Sequence, residues 1–272
     1  MDALVMERLT SSPRIVDIYG HCAFTVSTEF LQFEFENQLT WDYGYIQMDK
    51  LTDDVKNDID DKDKLMFSLE MAEAIADLHG FKDGIIIHGD IQPIQFLLTK
   101  DLHLKLNDFN RAEIMLYDQK DDMYCRFKSG EGNGNARSPE EYKDDPLNEK
   151  VDVWSFGANV YTVLTGLWVY FHIELDYPEV KKLVKAGQKP YIDDRYRKKG
   201  SLVEKALVHV LDRCFEYNAD ERADIFELVE FLRQTVRDNK NSKAQAFDTS
   251  KKQSPSKHPE DSLTKVPNNY KG

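Results

Sequence analysis

A chain of 272 residues with 41% hydrophobic and 31% charged residues carries enough apolar material for a packed core and does not have the composition of a disordered protein. Its net charge of −13 argues against nucleic acid or an anionic membrane surface as a partner. Three widely spaced cysteines, Cys22, Cys125 and Cys214, exclude a disulfide framework and a clustered metal site, and fit a reducing compartment.

The first ten residues, "MDALVMERLT", are charged and amphipathic and lack the apolar block of a signal peptide, so the expected location is the cytoplasm. Strand-like runs follow at 14–19, 23–27 and 29–35. Residues 51–79 are helix-patterned: Leu65, Met66, Leu69, Ala72, Ile75, Ala76 and Leu78 recur mostly at spacings of three and four, and Gly80 reads as the stop. Short strands are predicted at 85–87, 97–98 and 102–106, then helices at 149–165, 178–186, 202–215 and 225–237. Residues 153–173 contain no Asp, Glu, Lys or Arg, but Ser155, Asn159, Thr162, Thr165 and two glycines make this a buried helix of a large domain rather than a membrane span. From 238 onward the chain is rich in Lys, Ser, Pro and Asn and reads as a disordered tail. Strands come first and helices after, which predicts an α+β fold with a small, partly β region ahead of a larger helical one.

The chemistry concentrates in "IIIHGDIQPIQFLL", residues 85–98, and in "NDFN", residues 107–110. Asp90 and Asp108 each lie just past an apolar run, so two short strands can bring both carboxylates to one rim of a cleft. Such a pair can handle a proton and a divalent metal, the two requirements of phosphoryl transfer to a hydroxyl. Alone, the pattern is weak, because carboxylates after strands are often turn formers.

The order of further motifs resembles the eukaryotic protein kinases. His88-Gly89-Asp90 sits where that family has His-Arg-Asp, Asp108-Phe109-Asn110 stands for Asp-Phe-Gly, and Ser138-Pro139-Glu140 for Ala-Pro-Glu. "DVWSFGANVYTVLTG" from Asp152 resembles the central buried helix, and "ERADIFELVEFL" around Arg222 the terminal Arg-containing helix. The resemblance implies ATP and Mg2+ as cofactors, Asp90 as the residue that accepts the hydroxyl proton, and Asp108 with Gln95 as metal ligands. It implies structural roles for His88 packed on Phe109, for Asp152 tying the catalytic loop to the central helix, and for a buried Glu140–Arg222 ion pair. It places Phe33 at the gatekeeper position, the backbone of Glu34 to Glu36 at the adenine, and Leu97 beneath the base, with Asn107 just before the metal aspartate. By this reading residues 1–35 are a small-lobe remnant leading into the hinge, 36–237 the large lobe, and 238–272 the tail.

The pattern also departs from the family. Gly89 replaces the Arg that commonly pairs with an activation-segment phosphate, Gln92 replaces the Lys of Ser/Thr kinases, Gln95 the metal-binding Asn, and Asn110 the flexible Gly. The segment from Asp108 to Glu140 corresponds to the activation segment, with Tyr117, Tyr124, Ser129 and Ser138 as its candidate hydroxyls. No Gly-rich phosphate loop or Val-Ala-Ile-Lys-like strand is present, and the helix glutamate that pairs with that Lys falls near Asp2 or Ala3. Upstream sequence is therefore expected to supply the missing strands. Three functions follow from the resemblance: a Ser/Thr kinase acting on a protein substrate, a pseudokinase that scaffolds a signalling partner, or a small-molecule phosphotransferase of the aminoglycoside type. The last leaves "SPEEY" and "DVWSFG" unexplained.

Overall fold

The structure is a computed structural model that describes residues 1–23, 25–31, 33–39, 59–173 and 177–242. It is an α+β protein whose strands pair antiparallel and whose helices dominate the second half. A short helix, α1 (Asp2–Arg8), precedes the hairpin of β1 (Ile18–Cys22) and β2 (Thr25–Thr28). The predicted strand at 29–35 splits: the chain leaves the hairpin after Thr28, and only β3 (Phe33–Glu34) resumes pairing, with a new partner. Phe30, 89% exposed, lies in the break between β2 and β3 that an alternating apolar pattern could not reveal.

After α2 (Glu36–Leu39), helix α3 spans Asp61–His79. Of the predicted helix at 51–79, residues 51–58 lie outside the described residues, and Ile59 and Asp60 are not helical. Asp60 explains the start: its side chain accepts the N–H of Asp63 as an N-cap. β4 (Ile85–Ile87) follows, then β5 (Phe96–Leu98) and β6 (Leu104–Leu106), joined in the order β3-β5-β6. β7 (Glu113–Met115) pairs back onto β4, and β8 (Tyr117–Asp118) with β9 (Met123–Tyr124) forms a small hairpin. The remaining helices are α4 (Pro139–Lys143), α5 (Lys150–Thr165), α6 (Tyr177–Lys185), α7 (Leu202–Cys214) and α8 (Ile225–Ser242).

Every residue of α5 is buried, and α3 and α7 pack against it. Each large apolar side chain so enclosed stabilises the fold by roughly 1.5–3 kcal/mol relative to exposure. This explains why a charge-free run here is a core helix, and among the described residues no helix is long and apolar enough to cross a membrane. α8 continues to Ser242, so residues 238–242 are helical rather than part of the tail; the Gln234–Asp238 bond carries the helix past its last core contacts. Residues 243–272 lie outside the described residues.

One core cluster runs from Val5 to Leu232, so the N-terminal elements and the helical region share a hydrophobic interior. Polar ties reinforce it. Arg14, 2% exposed, donates to Glu73 at 2.9 Å and to Asp77 at 3.2 Å, while Arg233 of α8 takes the other oxygen of Glu73. The main chain on either side of Leu106 bonds to Arg14 and Val16, adding a short pairing at the edge of β6. These links fix the floor on which the site is built.

Candidate active site

The loop after β4 is pinned from beneath by α5. Asp152, 1% exposed, accepts the backbone N–H of His88 on Oδ2 at 2.8 Å and that of Gly89 on Oδ1 at 2.9 Å. His79 Nε2 lies 3.1 Å from the same Oδ2. Two helical turns along the same face, Asn159 donates from Nδ2 to the carbonyl of Ile91 at 3.2 Å. The loop is therefore held on both sides of Asp90 by one helix.

His88 connects this loop to the segment carrying Asp108. Its Nδ1 accepts the backbone N–H of Asp90 at 3.2 Å, so the ring proton sits on Nε2, which donates to the carbonyl of Asn107 at 3.0 Å. The imidazole is fully buried and packs on Phe109, ring centroids 5.2 Å apart. Asp108 follows Asn107 with φ of 60°, a left-handed backbone, and its Oδ1 receives a long contact from the N–H of Asn110 at 3.4 Å. A single ring thus bridges the backbones that carry the two carboxylates. Gly89 also has a left-handed φ of 71°, and a Cβ there would come 3.0 Å from the carbonyl oxygen of Arg111.

The Asp90 carboxylate is 14% exposed and closely held. Oδ1 accepts from Gln92 Nε2 at 2.8 Å and from Arg137 Nη2 at 2.5 Å. Oδ2 has one long contact, from Gln95 Nε2 at 3.4 Å. Gln92 and Gln95, the neutral replacements in the loop, therefore both turn their amide nitrogens toward Asp90. Arg137 comes from the segment before α4 and was not singled out from sequence. Its only sequence signal is an isolated cation directly ahead of the capping box at Ser138 and Glu141.

Of the remaining predicted residues, Leu97 sits in β5 opposite Glu34, on the face away from the buried Phe96 and Leu98. This register places the residues expected at the hinge inside and just after a sheet strand. Phe33 and Glu34 already belong to the β3-β5-β6 sheet, and the N–H of Phe35 donates to Phe96, while Glu36 opens α2. The strap between the hairpin and this sheet runs instead through Glu29, Phe30 and Leu31, and Glu29 is anchored by its own N–H to Asp17 and by its carboxylate to Lys105. Proximity of Glu34 and partial burial push the Glu36 carboxyl upward, burial being the larger cause. Asp2 lies in the first turn of α1, and its Oδ1 is shielded from solvent without a hydrogen-bond partner among the described residues.

Glu140 and Arg222 form a bidentate pair, 2.7 Å and 3.1 Å. Arg222 also donates to the carbonyls of Lys150 and Glu216, which joins α4, α5 and the segment before α8. Ser138 is fully buried as the N-cap of α4, so of the candidate hydroxyls in this segment it is enclosed, whereas Ser129 is exposed.

Among proteins of known family, the profile described as "Protein kinase domain" matches residues 2–231. The chain belongs to that family. Protein kinases similar to it include serine/threonine-protein kinase PKH1 of Saccharomyces cerevisiae, 32% identical over 108 residues, 37% of this chain and 14% of that protein. 3-Phosphoinositide-dependent protein kinase 1 of Rattus norvegicus is 30% identical over 142 residues, 52% of this chain and 24% of the relative. Wall-associated receptor kinase-like 21 of Arabidopsis thaliana is 24% identical over 232 residues, 82% of this chain and 36% of the relative. The chain spans under two fifths of the length of these curated relatives. The family as a whole uses ATP and Mg2+ and acts on proteins.

Proposed function

We propose that this kinase domain transfers the γ-phosphoryl group of ATP to Ser or Thr hydroxyls of a protein substrate. The observation that carries the reading is the state of Asp90: among the described residues Oδ1 is occupied by two donors, while Oδ2 keeps only a long contact and is the oxygen left to meet a substrate hydroxyl. The hydroxyl oxygen bonds to the γ-phosphorus as the bond from that phosphorus to the β-bridging oxygen breaks. The hydroxyl proton passes to Asp90, and ADP leaves. Because the loop is already fixed by Asp152, Asn159 and His88, little rearrangement is needed to aim the carboxylate.

The residues present fit Mg2+. Mg2+ is commonly held by one or two protein oxygens together with substrate phosphates, and Asp108 and Gln95 carry oxygens of that kind. Asp108 would be the anionic ligand and Gln95 a neutral one through its amide oxygen. When bound, the ion neutralises charge on the phosphates. Leu97 offers an apolar surface to the base, and the strap at Glu29 to Leu31 offers the backbone.

Incubating the protein with Mg-ATP and a generic protein substrate, then mapping the modified residues, tests this reading. Phosphoserine or phosphothreonine is expected; no incorporation from folded protein overturns it. The alternative of a scaffold without turnover is favoured by the replacements at Gly89, Gln92, Gln95 and Asn110. Thermal stabilisation by ATP that requires the metal favours a working site, and no stabilisation favours a scaffold.

A further inference from the structure

We propose that Arg137 is the positioning residue for Asp90, and that it supplies from the activation segment the cation the catalytic loop lacks at Gln92. The proposal rests on the kinase reading above.

Residues 89–95, "GDIQPIQ", contain no Lys or Arg, so the loop brings no positive charge of its own to Asp90. A carboxylate this enclosed is costly without a charged partner. Arg137 provides it at 2.5 Å, with side-chain exposures of 9% and 14%. The guanidinium is itself fully placed. Nη1 donates to the carbonyl of Gly89 at 2.7 Å and contacts Glu141 Oε1 at 3.4 Å, while Nε donates to the carbonyl of Asn133 at 3.2 Å. Its stem lies against Gly132, where a Cβ would come 3.0 Å from Arg137 Cγ. Glu141 is in turn locked by Ser138, whose N–H and hydroxyl both donate to Oε2. Burial works against the charge on Arg137, but Glu141 and Asp90 outweigh it and raise its pKa further.

Two consequences follow from this geometry. Arg137 and Gln92 together saturate Oδ1, which leaves Oδ2 as the oxygen directed to substrate. The same guanidinium joins the activation segment to the catalytic loop at Gly89, the position from which no side chain can reach a phosphate. The coupling that the family commonly makes through an Arg and a phosphorylated residue is made here by an Arg on the opposite partner, through a carbonyl and a carboxylate. A planar fork spanning a carboxylate and a carbonyl is work for which Lys is a poor substitute.

The test compares the full chain with its R137M, R137K and Q92K/R137M variants, measuring kcat, KM for ATP and thermal midpoint with Mg-ATP and a protein substrate. R137M keeps the packed stem and removes the charge. Its kcat is expected to fall by on the order of 10²-fold with KM for ATP little changed, as for a misplaced reacting group. Adding Q92K, a cation two residues past Asp90, restores most of that loss without restoring any lost thermal stability. A merely structural role predicts no rescue, and that result overturns the proposal, as does a folded R137M with wild-type kcat. Should R137M fail to fold, R137K carries the test: reduced kcat at unchanged KM supports the proposal, and wild-type kcat overturns it. Absence of turnover in the unmodified protein overturns the kinase reading and this inference together. Turnover that is indifferent to Arg137 overturns this inference alone.

Discussion

Asp152 holds the backbone amides of His88 and Gly89, one on each carboxylate oxygen, from inside a helix buried at every residue. The two bonds turn a charged loop outward from a hydrophobic floor without leaving buried donors unpaired. Asn at position 152 would face one of these N–H groups with an NH2. D152N is expected to lower stability by about 2–4 kcal/mol, the cost of losing charge-assisted bonds and orphaning a buried donor. Urea unfolding monitored by tryptophan fluorescence checks it, and a loss below 1 kcal/mol would show that the loop is held by other contacts.

Arg222 makes the corresponding claim for the scaffold. Its side chain is 0% exposed and its partner Glu140 is 11% exposed. R222M leaves Glu140 without its cation and the carbonyls of Lys150 and Glu216 without their donor, so destabilisation of roughly 3–5 kcal/mol is expected. The effect should be insensitive to salt, since the pair is shielded from solvent. Equilibrium unfolding at low and high ionic strength measures both points.

His103 gives a pH dependence with a defined sign. Its Nδ1 lies 2.6 Å from Glu70 Oε1, and Glu70 Oε2 accepts the N–H of Leu104, which fastens the β5–β6 turn to α3. The bond to Glu70 raises the histidine above its ordinary value, against a smaller opposing effect of burial. Folded protein therefore binds this proton more tightly than unfolded protein. The stabilisation is complete below the unfolded pKa of about 6.5 and disappears as pH rises through the higher folded value. The stability difference between wild type and H103Q should shrink from pH 6 to pH 9, and a difference that grows over this range would reverse the assignment.

The activation segment is ordered by packing. β7 pairs with β4, and the main chains of Phe127 and Leu147 bond to each other; Met115, Leu147 and Val151 close a second apolar cluster around Ile85 and Ile87. Tyr117 and Tyr124 pack edge to face at 5.1 Å. Phosphatase treatment, and the S129A variant, should leave the rate of substrate phosphorylation unchanged. Loss of activity on dephosphorylation would show that a phosphate completes the segment.

How much of this could be read from sequence depended on whether the deciding contact was local. Helix α5 and its Asp152 were legible because sixteen consecutive residues share one buried environment, with charges confined to Lys150 and Asp152 in its first turn. α7 was legible from its spacing of apolar residues, and its start is set by a local capping box. The hairpin β8–β9 and strand β7 were not predicted, since strands of two or three residues carry no period, and β7 is defined only by pairing with Ile85–Ile87. The residues expected at the hinge, 34–36, fall five positions past the strap at 29–31 for a related reason. Phe33 fits an alternating strand equally well in either sheet, and only its pairing with Leu98 decides between them. At the site, Asp90 and Asp108 stood out through their apolar flanks. Arg137 did not, because its meaning comes from a carboxylate 47 residues earlier in the chain.

The account turns on Asp90 as the group that receives the hydroxyl proton. Transfer of labelled γ-phosphate from Mg-ATP to a protein substrate, compared between wild type and D90N at matched folding, measures this directly. The account predicts serine or threonine phosphorylation by wild type and a fall of about 10²–10⁴-fold in D90N with nucleotide binding retained. Equal transfer by the two proteins, or none by wild type, would contradict it.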